Sequence, residues 1–100
     1  MTKLRIAAAA RDDLRDIRVY SKSVFGAAKA REYLLGLRTC FTRLRDRPMT
    51  GVAEKRLGSS MRSFSYKTHR IYFQSVDGEV LIVRILHHAR NVPSTMTPDP

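Results

Sequence analysis

The sequence predicts an α+β domain: an N-terminal strand, then an antiparallel helical hairpin packed on one face of an antiparallel sheet that a C-terminal three-stranded meander completes. Three observations carry this. Residues 8–44 hold apolar side chains at helical period, residues 63–86 change to alternating and continuous apolar runs, and Gly26, Pro48 and Asp77-Gly78 punctuate the chain between them.

Each element follows in order. Leu4-Arg5-Ile6 alternates and reads as a short strand with Lys3 and Arg5 toward solvent. Ala10, Leu14, Ile17, Ser21 and Val24 then form the inner stripe of a first helix, with Asp12, Asp13, Arg15, Asp16 and Arg18 on the opposite face. Acids in its first turns suit the helix dipole. Gly26 stops that helix, and Ala30, Tyr33, Leu34, Leu37, Phe41 and Leu44 mark the apolar stripe of a second one. Arg43, Arg45 and Arg47 crowd its C-terminal end, and Pro48 terminates it. Residues 63–66 alternate, residues 70–76 form a β-rich run, Asp77-Gly78 is a hairpin turn, and residues 80–86 form an almost continuous apolar strand. Residues 1–90 make one domain, and residues 91–100, with three of the four prolines, read as a flexible C-terminal tail.

One hundred residues leave room for a single core. Lys and Arg number 19 against 9 Asp and Glu, a net charge of +10, so the partner is anionic or acidic. The first fifty residues hold twelve bases and five acids (+7), the last fifty seven and four (+3), which makes the first half the more basic. The lone Cys40 excludes an internal disulfide and fits a reducing cytoplasm. The apolar run of residues 6–10 is too short for a secretory signal, and nothing reaches transmembrane length, so no membrane role is expected.

Chemistry-bearing residues are few. His87 and His88 are adjacent at a strand end, so their side chains diverge, and no carboxylate or cysteine stands at ligand spacing; no metal and no cofactor are expected. Cys40 lacks a His or Asn partner and reads as an inert thiol. In the last strand Val80, Ile82, Arg84 and Leu86 share one face and Leu81, Val83 and Ile85 the other. The Leu81 face should pack on the helices. Arg84 then joins Arg62 and Arg90 as an anion-binding patch on the uncovered face, or else pairs structurally with Glu54, Asp77 or Glu79.

Together the residues resemble the ParE toxins of bacterial type II toxin-antitoxin modules, within the ParE/RelE superfamily. The carriers are Ala10-x-x-Asp13-Leu14-x-x-Ile17-x-x-Tyr20, Gly26-x-x-x-Ala30-x-x-Tyr33-Leu34-x-x-Leu37, and Phe41-x-x-Leu44-x-x-x-Pro48-x-x-Gly51. Met61-Arg62-Ser63-Phe64, Arg70-Ile71-Tyr72-Phe73 and the run from Ile82 through His87-His88-Ala89-Arg90-Asn91 close the pattern. Where many relatives carry a serine helix cap, this chain has Ala7.

The resemblance implies the RelE/ParE-like fold and a non-enzymatic, cytoplasmic toxin that poisons DNA gyrase. A cognate ParD-like antitoxin would neutralise it, touching operator DNA on behalf of the complex. For gyrase the expected contacts are His87, His88 and Arg90, with Arg62; for the antitoxin, Tyr33, Leu34, Leu37, Phe41, Arg38 and Arg45. The alternative is the RelE branch, a ribosome-dependent messenger nuclease using Arg62, Arg90 and the histidine pair. It is disfavoured by the missing tyrosine after Arg90 and the shortage of groups that titrate near neutrality. A second alternative is a non-toxic nucleic-acid-binding module that uses Phe64, Tyr66, Tyr72 and Phe73 beside Arg62 and Arg70 on an open sheet.

Overall fold

The computed structural model describes residues 3–88. The chain runs β1 (Lys3–Ile6), α1 (Ala8–Phe25), α2 (Ala27–Asp46), a 3-10 turn (Pro48–Thr50) and β2 (Val52–Ala53). A second 3-10 turn (Lys55–Leu57), β3 (Met61–Tyr66), β4 (His69–Val76) and β5 (Glu79–His87) complete it. Ala10 and Ile17 of α1 and Leu37, Phe41 and Leu44 of α2 meet Ile71, Phe73, Val80, Ile82 and Ile85 of the sheet in one core. The helical hairpin therefore covers one sheet face, as the period switch requires.

Local chemistry sets the boundaries. Ala7 precedes α1 with no side-chain cap, so the helix start lacks the roughly 1 kcal/mol that a serine would contribute. Gly26, at φ 92°, ends α1 and begins α2 as the one residue between them. Asp77 and Gly78 both take positive φ, the geometry of a two-residue hairpin turn joining β4 to β5. Residues 89–100, including Arg90 and the expected tail, lie outside the described residues.

The sheet order is β1-β5-β4-β3-β2. It departs from the expected antiparallel sheet at one edge, where β1 lies parallel to β5 with Lys3 beside Glu79 and Ile6 beside Ile82. The two-residue β2 adds an edge beside β3. Within β5 the alternation fails, because Tyr72 pairs with Arg84 and Phe73 with Ile82, leaving Val83 as the extra residue of a bulge. The bulge shifts the phase. Val80, Ile82 and Ile85 enter the core under the helices, whereas Leu81, Val83 and Leu86 join Leu57, Met61 and Tyr72 in a second apolar cluster. The expectation that the Leu81 face packs on the helices is thus overturned for Leu81 and Val83, and Leu57 of the second 3-10 turn helps bury the face expected to be bare.

Candidate functional site

Two surfaces of the hairpin layer have the shape of binding sites, and one buried ion pair organises the larger. Asp13 falls on the inner stripe of α1 between Ala10 and Ile17, not on its outer face, and is buried. Its carboxylate accepts from Arg84 Nε at 2.8 Å and Nη2 at 3.0 Å, and from the Ile85 backbone N–H at 2.9 Å. One side chain therefore neutralises the arginine of β5 and satisfies a strand amide beyond the end of β1. The anion patch expected around Arg84 does not form on it. The structural alternative holds, with Asp13 as partner in place of Glu54, Asp77 or Glu79.

Arg62 is half-buried and turned inward. Its Nη2 donates to the Gly51 carbonyl, while its Nε is buried with no hydrogen-bond partner among the described residues. It is not the exposed strand-end base that the sequence suggested. On the opposite sheet face Glu54 accepts from Ser63 Oγ at 2.6 Å and lies 3.7 Å from Arg70 Nη1. Phe73 is fully buried and Tyr72 nearly so, which removes both from any stacking platform on an open sheet.

The larger surface is a groove of about 710 Å³ where the hinge of the hairpin meets the β3–β4 turn and the end of β5. Ile17, Tyr20 and Phe25 line it from the first helix, Lys29, Glu32 and Tyr33 from the second, and Lys67, Thr68, His69, Ile85 and His87 from the sheet. Register explains the polar end, because His69 pairs across the ladder with His87 and their rings meet edge to face with centroids 5.4 Å apart. Tyr33 Oη stands 2.7 Å from His69 Nδ1 and 3.2 Å from Thr68 Oγ1. Tyr33 also packs edge-on against Tyr66, and Lys67 Nζ sits 5.5 Å from the Tyr66 ring centre. Burial pushes the His69 imidazole below its ordinary value, His87 and His88 push the same way, and Asp13 opposes them. The hydrogen bond between the Tyr33 hydroxyl and His69 Nδ1 holds both side chains in place.

The second surface is a trough of about 300 Å³ on the outer side of the hairpin. Ala27, Ala30, Leu34 and Leu35 form its floor, and Arg18, Lys22, Arg31 and Arg38 its rim, with no acid among the lining residues.

The expected site residues fall into three groups. His87 and His88 are exposed at the end of β5, and Arg90 lies outside the described residues. Leu34 and Arg38 line the trough and Tyr33 the groove, while Arg45 is partly buried and paired with Asp46 at 3.0 Å. Leu37 and Phe41 are wholly in the core and offer no surface to a partner, because the helix period that makes a stripe apolar also turns it toward the sheet. Burial raises the Cys40 thiol, against the pull of Arg43, which fits an inert thiol. Sequence reasoning passed over Asp13 and Lys67. Asp13 left a trace, a carboxylate at the i+3 position of an apolar stripe, whereas Lys67 left none. Among the described residues no group of three or more His, Cys, Asp or Glu could hold a metal, and no helix is long and apolar enough to cross a membrane.

A family model described as the ParE toxin of type II toxin-antitoxin system, parDE, matches residues 4–92. No curated protein matches the sequence. Among solved structures, the fold is similar to a chain of the chromosomal ParDE toxin-antitoxin system from P. aeruginosa, with a TM-score of 0.75. That likeness covers 87% of this chain and 96% of the other at 19% identity, and it concerns the fold.

Proposed function

The chain belongs to the ParE toxin family of type II toxin-antitoxin systems, and from that premise we propose that it poisons DNA gyrase by binding and is neutralised in the cytoplasm by a ParD-like antitoxin. The observation that supports action by binding is the inward turn of Arg62. Its guanidinium donates to the Gly51 carbonyl, so one of the bases that the nuclease alternative draws on is engaged within the fold.

The antitoxin contact is assigned to the trough. Its apolar floor and basic rim are complementary to an amphipathic helix with an acidic face, and Leu34 and Arg38 are among its lining residues. Tyr33, by contrast, belongs to the groove, and Leu37 and Phe41 act beneath the surface by holding the hairpin on the sheet. The gyrase contact is assigned to the β5 end, where His87 and His88 are exposed, and to Arg90 just after it. Operator DNA is reached through the antitoxin.

The test runs purified protein in gyrase supercoiling and cleavage assays beside a ribosome-and-messenger cleavage assay. Trapped double-strand breaks with intact RNA are the expected result. Cut RNA with unaffected gyrase would overturn the reading in favour of the RelE branch.

A further inference from the structure

Of the residues lining the groove at the hairpin hinge, only His87 has a task in the reading above. The groove's two ends differ in chemistry. At the helical end Tyr20 and Phe25 are 63% and 59% exposed, an arrangement that leaves aromatic faces to solvent instead of adding them to the core. At the sheet end Lys67, His69 and His87 converge on the β3–β4 turn. Asp13 also borders the groove, but its charge is already answered by Arg84. The other carboxylates of the lining, Asp16 and Glu32, come from the helices, with Lys29 one turn before Glu32.

A ligand that fits must bring a flat neutral ring with N–H donors to the helical end and a negative group to the sheet end. We propose that this groove takes single-stranded nucleic acid, an unstacked base lying against Tyr20 and Phe25 and its phosphodiester against Lys67, His69 and His87. An amino-bearing base gives Asp16 and Glu32 hydrogen-bond donors. A glutamate-rich peptide brings no ring to lie against Tyr20 and Phe25. The volume of about 710 Å³ accommodates one or two nucleotides and is within the range of small-molecule sites. The site is separate from the antitoxin trough and does not depend on gyrase being the target.

Binding of the full-length protein to a five-nucleotide deoxyadenylate strand, followed by calorimetry and by the imidazole resonances of His69 and His87, tests the assignment. Those resonances should move on titration. Phe25→Ala and Lys67→Asn should each weaken binding by about fivefold or more, since a stacked base or a bound phosphate contributes at least that much. Asparagine tolerates the left-handed backbone at Lys67, φ 49°, so this variant keeps its turn. Lys55→Gln, on the exposed second 3-10 turn, removes the same charge elsewhere and should cost less than about twofold. An equal loss in Lys55→Gln would overturn the proposal, as general attraction to a +10 protein would then account for the binding. So would an abasic strand that binds as tightly as the deoxyadenylate, or a glutamate-rich peptide that moves the two imidazoles when the strand does not.

Discussion

Replacing Asp13 tests the tie between the first helix and the last strand. Its carboxylate is buried, accepts three hydrogen bonds and neutralises a guanidinium whose side chain is 27% exposed. Breaking a buried pair from one side costs about 3–5 kcal/mol, with the lower end expected here because Arg84 can still reach water. The Ile85 N–H has no such recourse. Asp13→Ala should therefore lose about 3 kcal/mol, a large share of the roughly 5–15 kcal/mol available to a domain, and lower Tm by about 12–24 °C. Asp13→Asn keeps an acceptor for one partner and should lose about 2 kcal/mol. Urea unfolding of Asp13→Ala, Arg84→Met and the double variant completes a cycle in which any other contact of Arg84 cancels. A coupling of at least about 1 kcal/mol is expected between the two positions. Coupling below about 0.5 kcal/mol would refute the argument that they stabilise the fold as a unit.

Four further predictions rest on separate features. His69 is held below its ordinary pKa of 6.5, first by burial and then by His87 and His88, so as pH falls below that value the unfolded chain takes up the proton before the folded one. Stability is then complete above about pH 6.5 and declines through the window beneath it; urea midpoints at pH 7.5 and 5.5 should differ more in the native chain than in His69→Gln. A Cβ added at Gly36 would stand 1.8 Å from the Tyr66 hydroxyl, so Gly36→Ala should cost about 1–3 kcal/mol despite the better helix propensity of alanine, and Tyr66→Leu should restore most of it in thermal melts. Leu37→Ala should lower stability by about 2–5 kcal/mol. Its neighbour Arg38→Glu should leave the urea midpoint in place and weaken antitoxin binding by about tenfold, measured by calorimetry.

The legible parts of the fold were those governed by short-range rules. Gly26, Pro48 and Asp77-Gly78 marked the boundaries, and the stripe from Ala30 to Leu44 marked the face that α2 buries. What escaped was set by distant partners. Alternation in β5 predicts one face for Ile82 and Leu86, but the bulge at Val83 puts them in different clusters, and a bulge is a property of the pair of strands. The parallel seat of β1 beside β5 depends on residues 76 positions away, as Lys3 opposite Glu79 shows. At the site, His87 and His88 were visible as strand-end bases, but His69 is joined to His87 only by the register of β4 on β5, and to Tyr33 only because α2 crosses that corner. Arg84 showed that it needed a partner. Which acid answered it was decided by a helix 71 residues earlier.

The seat of β1 against β5 governs the order in which the chain can be completed as it leaves the ribosome. The N-terminal strand and the apolar flanks of both helices emerge first, and the strand that joins all three is made last. Between the end of α2 at Asp46 and the end of β5 at His87 lie 41 residues, an interval of roughly 2–8 s at bacterial and eukaryotic synthesis rates. Throughout that time Leu37, Phe41 and Leu44 have no finished sheet to cover them. A nascent toxin is thus exposed to capture by chaperones or proteases before it can take its final shape, and truncation anywhere before residue 87 removes part of the strand on which the rest closes.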